Sequence, residues 1–156
     1  VNYDFKILNA VMQVNDNQKL HLIPAIKTYF KNDLKGKTIA LWGLAFKPNT
    51  DDVREAPALY IIEELLKEGA AVSAYDPEAM TNVKGLLGDK ITFHEMQYDA
   101  LANADIFRTP DFEKIASLLK NKVIFDGRNL FDLKQMEELG FHYVSIGRRT
   151  VNQLTK

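Results

Sequence analysis

An open, doubly wound α/β fold with a mostly parallel sheet, preceded by a long helix, is the architecture this sequence predicts. Three observations carry it. Residues 1–33 are periodic at helical spacing. From Lys37 onward, short apolar runs alternate with helical stripes. The first two of those runs flank a strong helix, a βαβ arrangement that implies parallel strands and a right-handed crossover.

In the N-terminal stretch Phe5, Leu8, Val11 and Met12 recur at helical spacing, as do Ile23, Ile26 and Phe30. The polar stretch from Asn15 to Lys19 between them could line a cleft or face a partner, with simple exposure on the helix favoured. Pro24 lacks an N–H and crowds the preceding turn, so it should kink or split the helix. Asn32 to Gly36 reads as a helix end and turn. Thr38 to Trp42 is then a buried strand ending at Gly43. Ala56 to Glu68 is a helix, with Pro57 near its start, Gly69 past its end, and Leu59, Ile62, Leu65 and Leu66 as its apolar stripe. Val72 to Tyr75 is the second strand, stopped by Asp76-Pro77. Ile91 to Phe93, Val123 to Phe125 and Tyr143 to Ile146 read as further strands, with helices at Phe112–Leu119 and Leu133–Leu139. The stretch between Tyr98 and Phe112 starts like a helix and leaves no room for a full strand. The whole pattern is Rossmann-like, with a helical region over 1–35 and an α/β domain over 36–156.

Composition limits the function. The 156 residues are 46% hydrophobic and carry 20 basic and 21 acidic side chains, for a net charge of -1. A dedicated nucleic-acid or membrane-surface binder needs a basic excess that is missing here. No apolar run approaches the roughly 18 residues of a spanning helix. The chain has no cysteine, which removes disulfides, thiolate metal sites and a thiol nucleophile. The start lacks both an initiator Met and a signal-peptide pattern, so the chain reads as a piece of a longer, cytoplasmic protein. The three histidines have no second ligand at helical spacing and read as structural, with no metal site. Trp42 reads as core, and Arg148-Arg149 as solvated.

Ligands of doubly wound sheets bind outside the carboxyl ends of the strands. The run after the first strand, Gly43 to Glu55, is long and holds Lys47 and Arg54. It either cradles a phosphate, helped by a helix N-terminus, or is a solvated loop whose cations pair with Asp51, Asp52 and Glu55. After the strand at 123–125 comes Asp126-Gly127-Arg128-Asn129, where Arg128 either reaches the same cleft or pairs with Asp126 in a plain turn. Asp76 could hold ribose hydroxyls, but without a G-x-G-x-x-G fingerprint the turn-forming role is favoured.

The run G-L-A-F-K-P-N-T-D-D-V-R-E-A-P from Gly43 to Pro57 closely resembles the nucleotide-sugar 6-dehydrogenase family. The resemblance extends through Ala74 to Pro77, Phe107 to Phe112 and Phe125 to Asn129, and Val14 to Gln18 looks like the family's long central helix. It implies a C-terminal nucleotide-sugar-binding domain behind a helix that builds a homodimer. It implies UDP-glucose as substrate and NAD as cofactor, with the sugar C6 alcohol oxidised in two steps through a cysteine thioester. Phe46, Lys47 and Arg128 would contact the UDP-sugar, and Arg54 the NAD pyrophosphate. The family's glycine fingerprint and cysteine would lie upstream, so no catalytic residue is expected in this chain. A family strand with a Thr-Glu-Trp motif is missing just before Phe107. UDP-N-acetyl-hexosamine and GDP-mannose dehydrogenases, or a stand-alone nucleotide-binding and dimerisation module, are the alternatives.

Overall fold

In the computed structural model, which describes residues 4–101 and 110–152, the expected long helix is two helices. Helix α1 spans Lys6–Lys19 and α2 spans Ile23–Tyr29. Pro24 lies in the first turn of α2, where no intrahelical partner awaits its missing N–H.

Strand β1 (Thr38–Trp42), helix α3 (Pro57–Lys67) and strand β2 (Ala71–Tyr75) form the predicted βαβ unit. The strands are parallel, with Trp42 in register with Tyr75. Gly69 ends the crossover helix at φ 79°, a conformation that costs glycine little. Helix α4 (Met80–Leu87) follows, a helix that the spacing does not announce. It is short, contains Gly85, and its N-terminus has no side-chain cap within the element. Strand β3 (Thr92–Phe93) pairs in parallel with β2. The rest is α5 (Gln97–Leu101), α6 (Phe112–Leu118), β4 (Val123–Asp126), α7 (Leu133–Glu138) and β5 (His142–Ser145). The strand missing before Phe107 falls outside the described residues.

Among the described residues every strand ladder is parallel, as the alternation predicts, but the ladders form two sheets. One has the order β1-β2-β3 and the other is β4-β5. Each has its own core. Ile62, Leu65, Val72, Ala74 and Val83 centre the first; Met136, Phe141 and Tyr143 centre the second. Each fully buried Leu, Ile or Phe contributes about 1.5–3 kcal/mol. Side chains alternate across a strand, and β1 uses both faces: Ile39 and Leu41 pack on the first core, Ala40 and Trp42 on the second. Helix α2 also bridges the halves. Its Ile26 is buried in the first core, while the Tyr29 ring meets Phe125 at 5.9 Å and His142 at 4.8 Å.

Candidate functional site

The loops following β1, β2 and β4 meet at the carboxyl ends of the strands. Two buried aspartates shape them. Asp76, 5% exposed, spends its carboxylate on four backbone N–H groups. Oδ2 accepts from Leu44 at 2.7 Å and Ala45 at 3.2 Å. Oδ1 accepts from Glu78 and Ala79, both at 2.8 Å. Asp76 therefore pins the loop after β1 onto the end of β2 and organises the entry to α4.

Asp126 does the same for the second sheet. Its Oδ1 accepts from the Arg128 backbone at 2.8 Å, and its Oδ2 from Leu130 N–H and the Tyr143 hydroxyl, each at 2.6 Å. Burial first, and the Asp126 carboxylate second, push the Tyr143 phenol well above its ordinary range. The considered Asp126–Arg128 side-chain pair is not formed, because backbone and phenol donors occupy the carboxylate. The Arg128 guanidinium instead donates to the Ala45 carbonyl at 3.0 Å. Asn129 clamps the loop by exchanging two hydrogen bonds with the Ile146 backbone, both at 3.0 Å. Arg148, expected to be solvated, donates to the carbonyls of Asn129 at 2.7 Å and Phe131 at 2.9 Å. A loop with outward-pointing carbonyls attracts a cation that sequence spacing does not pair with it.

These loops enclose a cleft of about 250 Å³, lined by Gly43, Ala45, Lys47, Tyr75, Gln97 and Arg128 among others. Lys47 and Arg128, predicted from separate loops, share it. Among the described residues neither makes an ion pair with a carboxylate. The Lys47 ammonium lies 5.8 Å from the Phe46 ring centroid. Phe46 itself is 46% exposed and stands between the lining residues Ala45 and Lys47. Arg54 lies elsewhere, in an open groove between α3 and α4. Its side chain is 87% exposed and grips Asp52 with both prongs, at 2.9 and 2.8 Å. That guanidinium holds the Asp52 carboxyl down at about 2.

Asn15 to Gln18 are exposed, as expected, but Lys19 is not. It is 8% exposed and bonds Glu55 and Asp16. These partners push its ammonium pKa up, above the ordinary lysine range. Among the histidines, His94 shares a 2.8 Å bond with the Ser73 hydroxyl, and His142 bonds the Asn152 carbonyl at 3.0 Å. Among the described residues there is no cluster of three or more metal-ligating side chains, and no helix is long and apolar enough to cross a membrane.

Parallel strands whose carboxyl-end loops, one from each sheet, bring cations into one cleft define the class of nucleotide-binding domains. The comparisons are more specific. Residues 40–133 match the UDP-binding domain of the UDP-glucose/GDP-mannose dehydrogenase family, and the chain belongs to that family. It is 41% identical to the UDP-glucose 6-dehydrogenase TuaD of Bacillus subtilis, over 96% of this chain and 34% of that protein. It is 42% identical to the UDP-glucose 6-dehydrogenase of Pseudomonas aeruginosa, over 94% of this chain and 35% of the relative. Among solved structures, an NDP-N-acetyl-D-galactosaminuronic acid dehydrogenase from Methanosarcina mazei superposes with a TM-score of 0.76 at 26% identity, covering 100% of this chain and 35% of the other. The chain thus spans about a third of the length of these relatives.

Proposed function

We propose that the cleft binds the diphosphate of a UDP-sugar, UDP-glucose foremost, and that the chain is the C-terminal nucleotide-sugar-binding part of an NAD-dependent UDP-glucose 6-dehydrogenase. The observation that supports this most is the convergence of Lys47 and Arg128 on one cleft, inside the stretch that matches a UDP-binding domain.

Lys47 acts as a compact point charge and Arg128 as a two-pronged donor, which together match the two phosphates of a diphosphate. Among the described residues Arg128 gives one N–H to Ala45, which leaves its others for the ligand. Holding the diphosphate fixes where the attached sugar points, so binding here orients C6 toward a reactive thiol. Phe46 offers an apolar surface beside Lys47. The thiol belongs to another part of the protein, because this chain contains no cysteine. NAD, when bound, supplies hydride acceptance for the alcohol oxidation. Of its site this chain offers Arg54. The Arg54–Asp52 pair is exposed, and such pairs exchange partners at little cost, so Arg54 fits a pyrophosphate contact. The proposed site of action is the cytoplasm.

The exposed apolar residues Ile7, Leu8, Val11, Met12 and Val14 on α1 support a homodimer built on that helix. The likeness to the M. mazei enzyme favours, as a second reading, a UDP-N-acetyl-hexosamine substrate.

The test is a calorimetric titration of the chain with UDP and GDP. Tighter binding of UDP supports the proposal. Binding of neither, or equal binding of both, rejects a uridine diphosphate site in these residues. Titration with UDP-glucose against UDP-N-acetylglucosamine then separates the two sugar readings.

A further inference from the structure

We infer that Lys19 is a positioning residue for the cleft, holding the 44–56 loop in place by anchoring Glu55 to helix α1. For its effect on nucleotide affinity, the inference rests on the UDP reading above.

Lys19 is the buried residue of α1, whose other described residues are exposed. Its ammonium lies 2.5 Å from Glu55 Oε2, 3.0 Å from Asp16 Oδ1 and 3.3 Å from the Tyr60 hydroxyl. It also sits 4.3 Å from the centroid of the Tyr60 ring. The Tyr60 hydroxyl donates to the same Glu55 oxygen at 2.7 Å, so Glu55 is held from two elements. Glu55 has φ 56°, a left-handed conformation that a non-glycine residue keeps only when its surroundings enforce it.

The link to the cleft is short. The loop that ends at Glu55 folds back on itself, with Phe46 N–H donating to the Asp52 carbonyl at 2.8 Å. Phe46 precedes the cleft residue Lys47. Asp76 anchors the start of the loop at Leu44 and Ala45, and Asn82 holds its middle through the Asp51 carbonyl at 2.9 Å. Glu55 on Lys19 is the anchor at its far end. Without that anchor Glu55 relaxes out of its left-handed conformation, and the turn carrying Asp52 shifts with it.

The test uses Lys19→Met, Lys19→Arg, Glu55→Gln and the Lys19→Met/Glu55→Gln double variant. Two quantities are read: exchange of the Phe46 amide hydrogen without nucleotide, and UDP affinity by calorimetry. The Met and Gln variants should each speed Phe46 exchange and weaken UDP binding by about fivefold, with the double variant no worse than either single one. Lys19→Arg, which keeps the charge, should restore both. Unchanged Phe46 exchange in the single variants, or losses that multiply in the double variant, would overturn the inference. Should Lys19→Met not fold, Glu55→Gln at its exposed position decides the matter by the same readings. Absence of UDP binding by the unmodified chain rejects the proposed function instead, and the exchange measurement still decides whether Lys19 positions the loop.

Discussion

Arg128 Nη2 donates to the Ala45 carbonyl at 3.0 Å, and this single bond ties the loop of one sheet to the loop of the other. The same guanidinium lines the cleft. Arg128→Ala should therefore lower both thermal stability and UDP affinity. Lys47→Ala should act on affinity alone, because Lys47 makes no ion pair among the described residues. Loss of a charge-assisted phosphate contact costs about 1.5–3 kcal/mol, or at least about tenfold in affinity. Calorimetry beside a thermal melt separates the two variants, and an unchanged UDP affinity in Lys47→Ala rejects it as a ligand.

Asp76 should be a stability residue rather than a ligand. Asp76→Ala leaves the N–H groups of Leu44, Ala45, Glu78 and Ala79 without their acceptor. The expected loss is about 3 kcal/mol, read from the midpoint of urea unfolding. A midpoint within experimental error of the unmodified chain would refute this.

The Tyr143 phenol makes stability fall in alkali. Its ordinary value is 10.0, and the folded protein holds it higher, so above pH 10 the unfolded chain releases a proton that the folded chain keeps. Stability from this group is complete below pH 10 and declines as the pH rises beyond it. Tyr143→Phe should flatten that decline at a cost of about 1.5–3 kcal/mol near neutrality, from the lost bond to Asp126. Some slope should persist, because burial also raises Tyr29. Unfolding curves collected from pH 8 to 11 check both points.

How much of this is visible in the sequence depends on the reach of each interaction. The strands are, because short apolar runs and their punctuation are local: β2 begins at Ala71, one residue before the expected Val72. The cleft is half visible. Lys47 and Arg128 follow from the rule that ligands sit at strand ends, but the Arg128–Ala45 bond spans 83 residues. Lys19 is invisible by the same logic. A lysine at the end of a polar stretch reads as solvated until Glu55, 36 residues away, folds over it. The division into two sheets is equally illegible, since periodicity identifies strands and not their neighbours.

Arg54 should control the titration of Asp52. The carboxyl sits at about 2 while the guanidinium is present, so the pair contributes in the folded state above the ordinary aspartate value near 3.8 and loses that contribution as pH falls toward 2. Arg54→Ala should raise the Asp52 carboxyl only part of the way to its ordinary value, because the residue 54 backbone N–H still donates to Oδ1 at 3.0 Å; carboxyl carbon NMR follows the shift. A carboxyl that stays near 2 in the variant would mean that another group holds it.

Assembly through α1 is checked by size. The unmodified chain should scatter light as a dimer at micromolar concentration, and Val11→Glu should scatter as a monomer with its fold intact, because Val11 faces outward. A monomeric unmodified chain would count against α1 as the interface.

The division of the strands into two sheets gives the molecule an order of disassembly. Among the described residues the β4-β5 half has the smaller core, and α2 reaches it through Tyr29 while remaining rooted in the other half at Ile26. Regions of unequal core size open with unequal free energies. Under mild denaturation or protease challenge, the chain beyond residue 110 should come loose first and leave the β1-β2-β3 half standing. The cleft then fails by losing one wall, at Arg128, before the rest gives way.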